Sequence, residues 1–477
     1  MSVESAITPY PEHWKLTTLG QLCSDGGGTI QTGPFGSQLH ASDYVEFGIP
    51  SIMPKNISIE GISTEDIARI TTDDANRLAK YLVKEGDIVY SRRGDVEKCS
   101  LISEKESGWL CGTGCLKVSL GDYSSVPSSY IHAYLSHPAI REWISRRAVG
   151  ATMPNLNTSI LSEVPILVPP ENEINFIRNV WMNTTSKMNL NRQTNQTLEE
   201  MAQAVFKSWF VDFDPTRAKI KAKENGEDPT RAAMAALAGK TTEHLDTLAP
   251  EQLQTLSTAA ALFPDAMEDS ELGEIPQGWA IKLTGDVLDV RDGTHDSPKK
   301  SEIGYPLVTS KHITSGVLKI EDAYLISDED FRKINKRSRV EQYDILLTMI
   351  GTVGVSYFVL QPEVNFAIKN IGLFRTSEVE QLRNYFYLLL KSPKMKAYLE
   401  ARMAGTTQKY LSLKTLRSIE MLAPSKELLA AFNDLVNPLM DKIFISCSEA
   451  DKLASLRDTL LPKLLSGELT TEVVKGG

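Results

Sequence analysis

Two polar stretches carry side chains of the kinds that pair with base edges and phosphates. The first runs Gly26-Gly27-Gly28-Thr29-Ile30-Gln31-Thr32-Gly33-Pro34-Phe35-Gly36-Ser37-Gln38. The second runs Arg291-Asp292-Gly293-Thr294-His295-Asp296-Ser297-Pro298-Lys299-Lys300. Short hydroxyl and amide side chains on glycine-permitted turns reach into a groove, and Gln suits adenine. Thr29, Gln31, Thr32, Ser37 and Gln38 are the candidates in the first stretch. Thr294 and His295 are those in the second, with Lys299 and Lys300 as phosphate ligands. The alternative is two solvated turns.

Further candidates come in matched pairs. Lys55 and Asn56 lie just after Gly48-Ile49-Pro50; Ser310, Lys311 and His312 lie just after Gly304-Tyr305-Pro306. Arg92 and Arg93 can grip guanine or phosphate. They can instead pair with Asp95 or Glu97, and Lys55 can be a plain surface lysine. Asn155, in Ala151–Asn157, and Gln408 with Lys409, in Thr406–Leu411, sit on amide-bearing turns. Turn chemistry explains those turns as well as base contact does.

The elements that must hold these residues occur twice. Pro11-Glu12-His13-Trp14 returns as Pro276-Gln277-Gly278-Trp279, and Tyr130–Leu135 returns as Tyr385–Leu390. Gly86-Asp87-Ile88 with Ser91–Gly94 returns as Tyr343-Asp344-Ile345 with Thr348–Gly351, and Ala148–Thr152 as Met403–Thr407. The β-rich runs Ile88–Tyr90, Leu116–Val118 and Val164–Val168 predict strands. Ile345–Leu347, Ser356–Val359 and Ile419–Leu422 are expected as their partners. One helix is expected over Ser129–Arg146, and its counterpart over Leu382–Arg402.

Each copy ends in a seam of residues alternately three and four apart. It runs Ile174, Ile177, Trp181, Thr184, Met188, Asn191, Asn195, Leu198, Ala202, Val205, Trp209. The second runs Leu429, Phe432, Val436, Leu439, Ile443, Ser446, Ala450, Leu453, Arg457, Leu460, Leu464. That spacing predicts two long helices in a coiled coil, each about 60 Å for some forty residues. The alternative is that each helix packs only on its own globular part. Pro438 is a candidate kink. Between Asp212 and Glu274 a linker is expected. Its Lys219–Asp228 part reads as charged and exposed, and Arg231–Lys240 as a short helix. Leu262-Phe263-Pro264 reads as a docking point. The expected divisions are 1–168, 169–213, 214–273, 274–424 and 425–477.

The chain has 477 residues, 42% hydrophobic and 23% charged, which is globular composition for several domains. The net charge of −10 disfavours nucleic acid. However, residues 241–278 hold eight acids and no Lys or Arg, so the rest is close to neutral. No leader and no membrane-length apolar run is evident, so a cytoplasmic protein without membrane contact is expected. The five cysteines have irregular spacing and Cys111/Cys115 stand as the only close pair, which argues against disulfides and a metal site. Signatures of catalysis are missing too. Pro169-Pro170 is followed by Glu171, unlike an amino-methyltransferase tetrapeptide, and Gly26–Gly28 lacks the Gly-Lys-Ser/Thr of a phosphate loop. No carboxylate–lysine nuclease cluster and no Gly-x-Ser-x-Gly stand out.

The layout resembles the specificity subunits of type I restriction–modification systems. The carrying residues are Pro-x-x-Trp at Pro11/Trp14 and Pro276/Trp279, Thr32–Ser37, Gly48-Ile49-Pro50 and Arg291–His295. Trp209–Pro215 and Leu461–Gly467 add to them. The resemblance implies an α+β fold: two tandem α/β target-recognition domains separated by two long antiparallel coiled-coil helices. It implies that each domain reads one half of a bipartite, asymmetric site in double-stranded DNA, and that the helices set the spacing. Two methyltransferase subunits and restriction/translocase subunits would be the partners. S-adenosylmethionine, ATP and Mg would belong to them, with no cofactor on this chain. Thr29–Thr32 and Thr294–Ser297 differ strongly, so two different half-sites are expected. The rival readings are a coiled-coil scaffold without DNA recognition and a self-contained DNA methyltransferase.

Overall fold

The computed structural model describes residues 4–150, 154–314, 317–405 and 409–470. They form two compact units, Met1–Gln193 with Cys447–Gly477, and Thr194–Ser446. Each long helix therefore contributes one half to each unit.

The first unit is built on an antiparallel sheet ordered Thr29–Thr32, Cys115–Ser119, Ile88–Ser91, Cys99–Leu101. A second sheet runs Leu110–Cys111, Ile49–Ile52, Ala68–Ile70, Tyr44–Val45. Lys15–Thr18 pairs with Pro165–Val168, closing the front part near where the chain enters the long helix. The second unit repeats the plan. Its main sheet is Val290–Asp292, Ile371–Phe374, Ile345–Thr348, Ser356–Phe358. Beside it stand Leu325–Ile326, Tyr305–Val308 and Ala367–Ile368, while Ala280–Leu283 pairs with Glu420–Ala423.

This topology corrects one expected pairing. The counterpart of Leu116–Val118 is Ile371–Phe374, because both sit second in their sheets. Ser356–Phe358 instead matches Cys99–Leu101. The repeated turns have a shared physical cause. Gly86 and Tyr343 both take left-handed backbone (φ 85° and 71°). The next residue, Asp87 or Asp344, then accepts from the backbone amide three residues earlier, at 2.9 and 2.8 Å. Gly48 and Gly304 have φ of 156° and 151°, and a Cβ at either would strike the carbonyl of Ile70 or Ile326.

The single helices expected over Ser129–Arg146 and Leu382–Arg402 are each two. They are Ser128–Leu135 with Pro138–Arg147, and Arg383–Lys391 with Pro393–Ala401. Proline stands at the first position of both second helices. It has no amide hydrogen to continue the preceding ladder, and its ring clashes with a helical neighbour before it.

The long helices are Glu171–Phe210 and Lys426–Leu465. The seam is the buried face: Ile174, Ile177, Trp181, Met188, Ala202, Trp209, Leu429, Phe432, Val436 and Leu464 are buried. So are the polar seam residues Asn191, Ser446 and Arg457. In the first unit the helices run antiparallel: Arg457 lies over the Trp181 ring at 5.6 Å, and Asn191 donates to Glu449 at 2.8 Å. In the second unit Phe206 meets Phe432 at 6.4 Å and Phe210 meets it at 4.9 Å. Such ring pairs add about 0.5–1.5 kcal/mol each beyond area burial. The second helix continues unbroken through Pro438.

The segment expected to be a linker is folded throughout. Helices Asp214–Asn225, Pro229–Ala238, Thr242–Leu245 and Pro250–Ala261 precede a hairpin of Met267–Ser270 and Gly273–Pro276. Ala233, Met234, Ala235, Leu245 and Ala260 form its core. Lys219, read as exposed, is buried, and its amine donates to the Phe263 carbonyl at 2.6 Å. Phe263 packs edge-on against Trp209 at 5.1 Å, which is the docking point expected of Leu262–Pro264.

Candidate nucleic-acid interface

The residues singled out first lie on and just after the edge strand of the first unit's main sheet and, in the second unit, in the loop after the edge strand Val290–Asp292. Thr29, Gln31 and Thr32 lie on that strand in the first unit and not on a free loop. Gly26 and Gly28 fold tightly onto the Leu120 and Ser119 carbonyls, and the strand starts there. Gln31 is engaged within the chain: its amide donates to the Lys80 carbonyl at 2.6 Å. Gln38 is engaged as well. Its Oε1 accepts from the Tyr81 hydroxyl at 2.8 Å and from the Phe35 amide at 3.4 Å. Ser37 is exposed.

Register identifies which residues are equivalent. Thr32 faces Leu116, which faces Tyr90; Asp292 faces Gly372, which faces Leu347. The next amides, of Gly33 and Gly293, donate to Cys115 and Ile371 at 2.9 Å. A Cβ on Gly33 would lie 2.2 Å from the Gly112 carbonyl, and one on Gly293 2.3 Å from that of Ile368. So Pro34 and Phe35 answer to Thr294 and His295. The sequence comparison of Thr29–Thr32 with Thr294–Ser297 was out of register, and Phe35, which is exposed, was missed.

His295 is held from both sides. Its Nε2 lies 3.0 Å from Asp292 and its Nδ1 2.8 Å from Asn370 Oδ1. Asp292 is buried and also takes Arg337. The Thr294 hydroxyl accepts from the Asp296 amide at 3.1 Å. Lys299 and Lys300 are exposed, with Lys300 5.8 Å from the Tyr324 ring centre.

The second matched pair divides cleanly. Lys55 and Lys311 are exposed at the middle of equivalent short turns, Pro54–Asn56 and Ser310–His312. Asn56 and His312 are buried and cap those turns, and Ser310 is only partly exposed. Asn56 accepts from Met53 and donates to the Ser63 carbonyl at 3.1 Å. Burial, helped by the Lys311 cation, pushes the His312 pKa below the usual histidine range. Asn56 and His312 therefore each close a turn of their own chain. A polar residue closing a turn of its own chain gives the same sequence signal as one facing a ligand.

The third set comes together in space. Arg92 Nε donates to Asn155 Oδ1 at 3.3 Å, and Asn155 bridges both Arg93 and Val149. The expected alternative partners of the arginines are taken: Asp95 pairs with Lys98 and Glu97 with Arg141, both at 2.9 Å. The second unit repeats the bridge, with Tyr410 between Ile350 and Ala404. Lys409 is exposed beside it, and Gln408 lies outside the described residues.

Among the described residues no group of His, Cys, Asp or Glu could hold a metal, and no helix is long and apolar enough to cross a membrane. Burial pushes the Cys111 thiol up to about 12, so it stays protonated.

A family model described as the type I restriction modification DNA specificity domain matches residues 11–200 and 276–428. The chain belongs to that family. The two matched stretches fall one on each copy of the repeat. The specificity subunit of the type I restriction enzyme HindI from Haemophilus influenzae is 28% identical over 411 residues, 82% of this chain and 88% of that one. The MjaIX specificity subunit from Methanocaldococcus jannaschii is 23% identical, over 98% and 96%. A type I restriction–modification S subunit from M. genitalium aligns over 97% of this chain and 98% of that one, at 15% identity and a TM-score of 0.46. Membership in the specificity family sets aside the self-contained methyltransferase and the scaffold without DNA recognition. Phe35, Asp292, Arg337 and Asn370, which stand at or against the loop after the edge strand, were not singled out by the sequence reading.

Proposed function

We propose that this chain is the non-catalytic specificity subunit of a cytoplasmic type I restriction–modification complex. It reads a bipartite, asymmetric site in double-stranded DNA, one half per unit. Two methyltransferase subunits and restriction/translocase subunits assemble with it and do the chemistry. S-adenosylmethionine, ATP and Mg bind on those subunits, and this chain carries none of them.

One observation supports this reading best: a single backbone plan occurs twice with unlike side chains at its equivalent places. Pro34 and Phe35 stand against Thr294 and His295, and Asn155 stands against Tyr410. Matched scaffolds with unmatched surfaces read two different sequences. Of the sequence candidates, Thr29, Thr32, Ser37, Lys55, Arg92, Arg93, Asn155, Thr294, His295, Lys299, Lys300, Lys311 and Lys409 remain as DNA contacts.

Genome-wide adenine methylation, mapped with and without the chain, tests it. The chain should be required for one bipartite motif. Exchanging residues 1–165 for those of another specificity subunit should change one half of that motif. A change in both halves, or methylation independent of the chain, would overturn the reading.

A further inference from the structure

Helix Asp328–Ser338 stands beside the loop that follows the second unit's edge strand. The Ser327 hydroxyl caps it by accepting from the Asp330 amide at 3.1 Å. Ile334 and Ser338 are buried, and Phe331 stacks on Tyr305 at 3.9 Å. Its outer face presents Arg332, Lys333, Lys336 and Arg337, all exposed. Some of this charge offsets the helix dipole, and Arg332 is paired with Asp328 at 3.0 Å.

Lys333 and Arg337 do more than that. They line a recess of about 180 Å³ together with Thr294, Asp296, Ser297, Pro298 and Asp330. Arg337 is fixed there by Asp292, the buried carboxylate that also holds His295. Lys333 has only a 4.0 Å approach to the exposed Asp296. The same loop carries Lys299 and Lys300, both exposed.

The first unit has a shorter counterpart, helix Thr72–Arg77 followed by the turn Ala79–Tyr81, without the same charge. Thr71 caps it identically, accepting from Asp74 at 3.1 Å. The positions of Lys333, Lys336 and Arg337 are there Arg77, Lys80 and Tyr81. Arg77 is turned onto Asp74 at 2.6 Å and the Gln38 carbonyl at 2.8 Å. The segment Pro34–Gly48 has no Lys or Arg and contains Asp43 and Glu46.

We propose that Lys299, Lys300, Lys333 and Lys336 form a clamp for the phosphate backbone of duplex DNA, with Arg337 and His295 locked at its floor. The two units then grip DNA unequally at this place in the fold. The inference rests on the proposed reading of DNA by this chain.

The test uses the full chain purified with the subunits that accompany it, and a duplex selected from a random pool. Affinity is measured against salt. Changing Lys299, Lys300, Lys333 and Lys336 together to Gln should lower the slope of log K against log salt by about 3–4, at about 0.9 per phosphate contact. The selected sequence and the melting temperature should stay as in wild type. Arg77→Gln with Lys80→Gln should lower the slope by less than about 1. A wild-type slope in the fourfold variant would overturn the clamp and leave DNA reading intact. Loss of the accompanying subunits with an unchanged slope would also overturn it, marking the face as a protein contact. A wild-type complex that selects no sequence would sink the DNA reading itself, and the clamp with it.

Discussion

Asn56 Oδ1 and His312 Nδ1 accept the same hydrogen bond in the two units. The donors are the amides of Met53, at 3.1 Å, and Thr309, at 2.9 Å. Two unlike side chains thus close one kind of turn, each with an acceptor at similar reach. His312 must be neutral to accept, which fits its lowered pKa.

His312→Asn should therefore be tolerated. His312→Ala should cost about 1–2 kcal/mol, the usual worth of a capping acceptor. Urea unfolding measures the loss, and methylation maps should show both half-sites unchanged. A relaxed second half-site in His312→Asn would return this residue to the DNA contacts.

Asn155→Ala removes the acceptor of Arg92 Nε and frees the guanidinium of its tether. Discrimination in the first half-site should fall by about 1–3 kcal/mol at one or two base pairs. The second half-site should not move. Selection from a random duplex pool reads both halves in one experiment, and altered preference in the second half would contradict the assignment.

Acid should weaken the first unit through His132. Trp181 Nε1 donates to its Nδ1 at 3.3 Å, and burial holds its pKa at about 4, with the Arg457 cation adding to the effect. The folded value lies below the ordinary 6.5, so the unfolded chain binds the proton more readily. Its contribution is complete above about pH 6.5 and is lost as pH falls toward 4. The loss is on the order of 3 kcal/mol. Hydrogen exchange of residues 128–181 at pH 7 and pH 4.5 should show it. His132→Gln should flatten that difference, and an equal pH dependence in the variant would rule out this cause.

Phe263→Ala should release the 214–276 segment from the first long helix. The ring packs on Trp209 and is 3% exposed, so its removal should cost about 3–5 kcal/mol. Faster exchange across residues 214–276, with the main sheet of the second unit still protected, is the expected pattern. Uniform loss of protection would mean that the segment and the sheet unfold together.

The seam was legible because burial repeats every three or four residues, and nothing else at Ile174 or Phe432 competes with that pattern. The duplicated strands were legible for a similar reason. The loops were not. Gly33 and Gly293 are 260 residues apart, whereas Gly48 and Gly304 are 256 apart, so four residues are missing from a stretch without periodicity. A register slip there was unavoidable from one sequence. The helix Asp328–Ser338 was missed because its cations alternate with Asn335 and Ile334 and form a face only once the helix is wound. The capping roles of Asn56 and His312 were not legible because side-chain–backbone bonds within a turn leave no mark in spacing.

Leu461, Leu464 and Leu465 pack in the same core as Trp14, Ile174 and Ile177. The second unit is one unbroken length of polypeptide, whereas the first is closed by residues synthesised more than 250 positions after its own long helix begins. On the ribosome the order of completion is therefore the reverse of the order of synthesis. Thr194–Ser446 can mature while its predecessor still waits for a missing wall. A premature stop after Ser446 would spare the later-made module and cripple the earlier one.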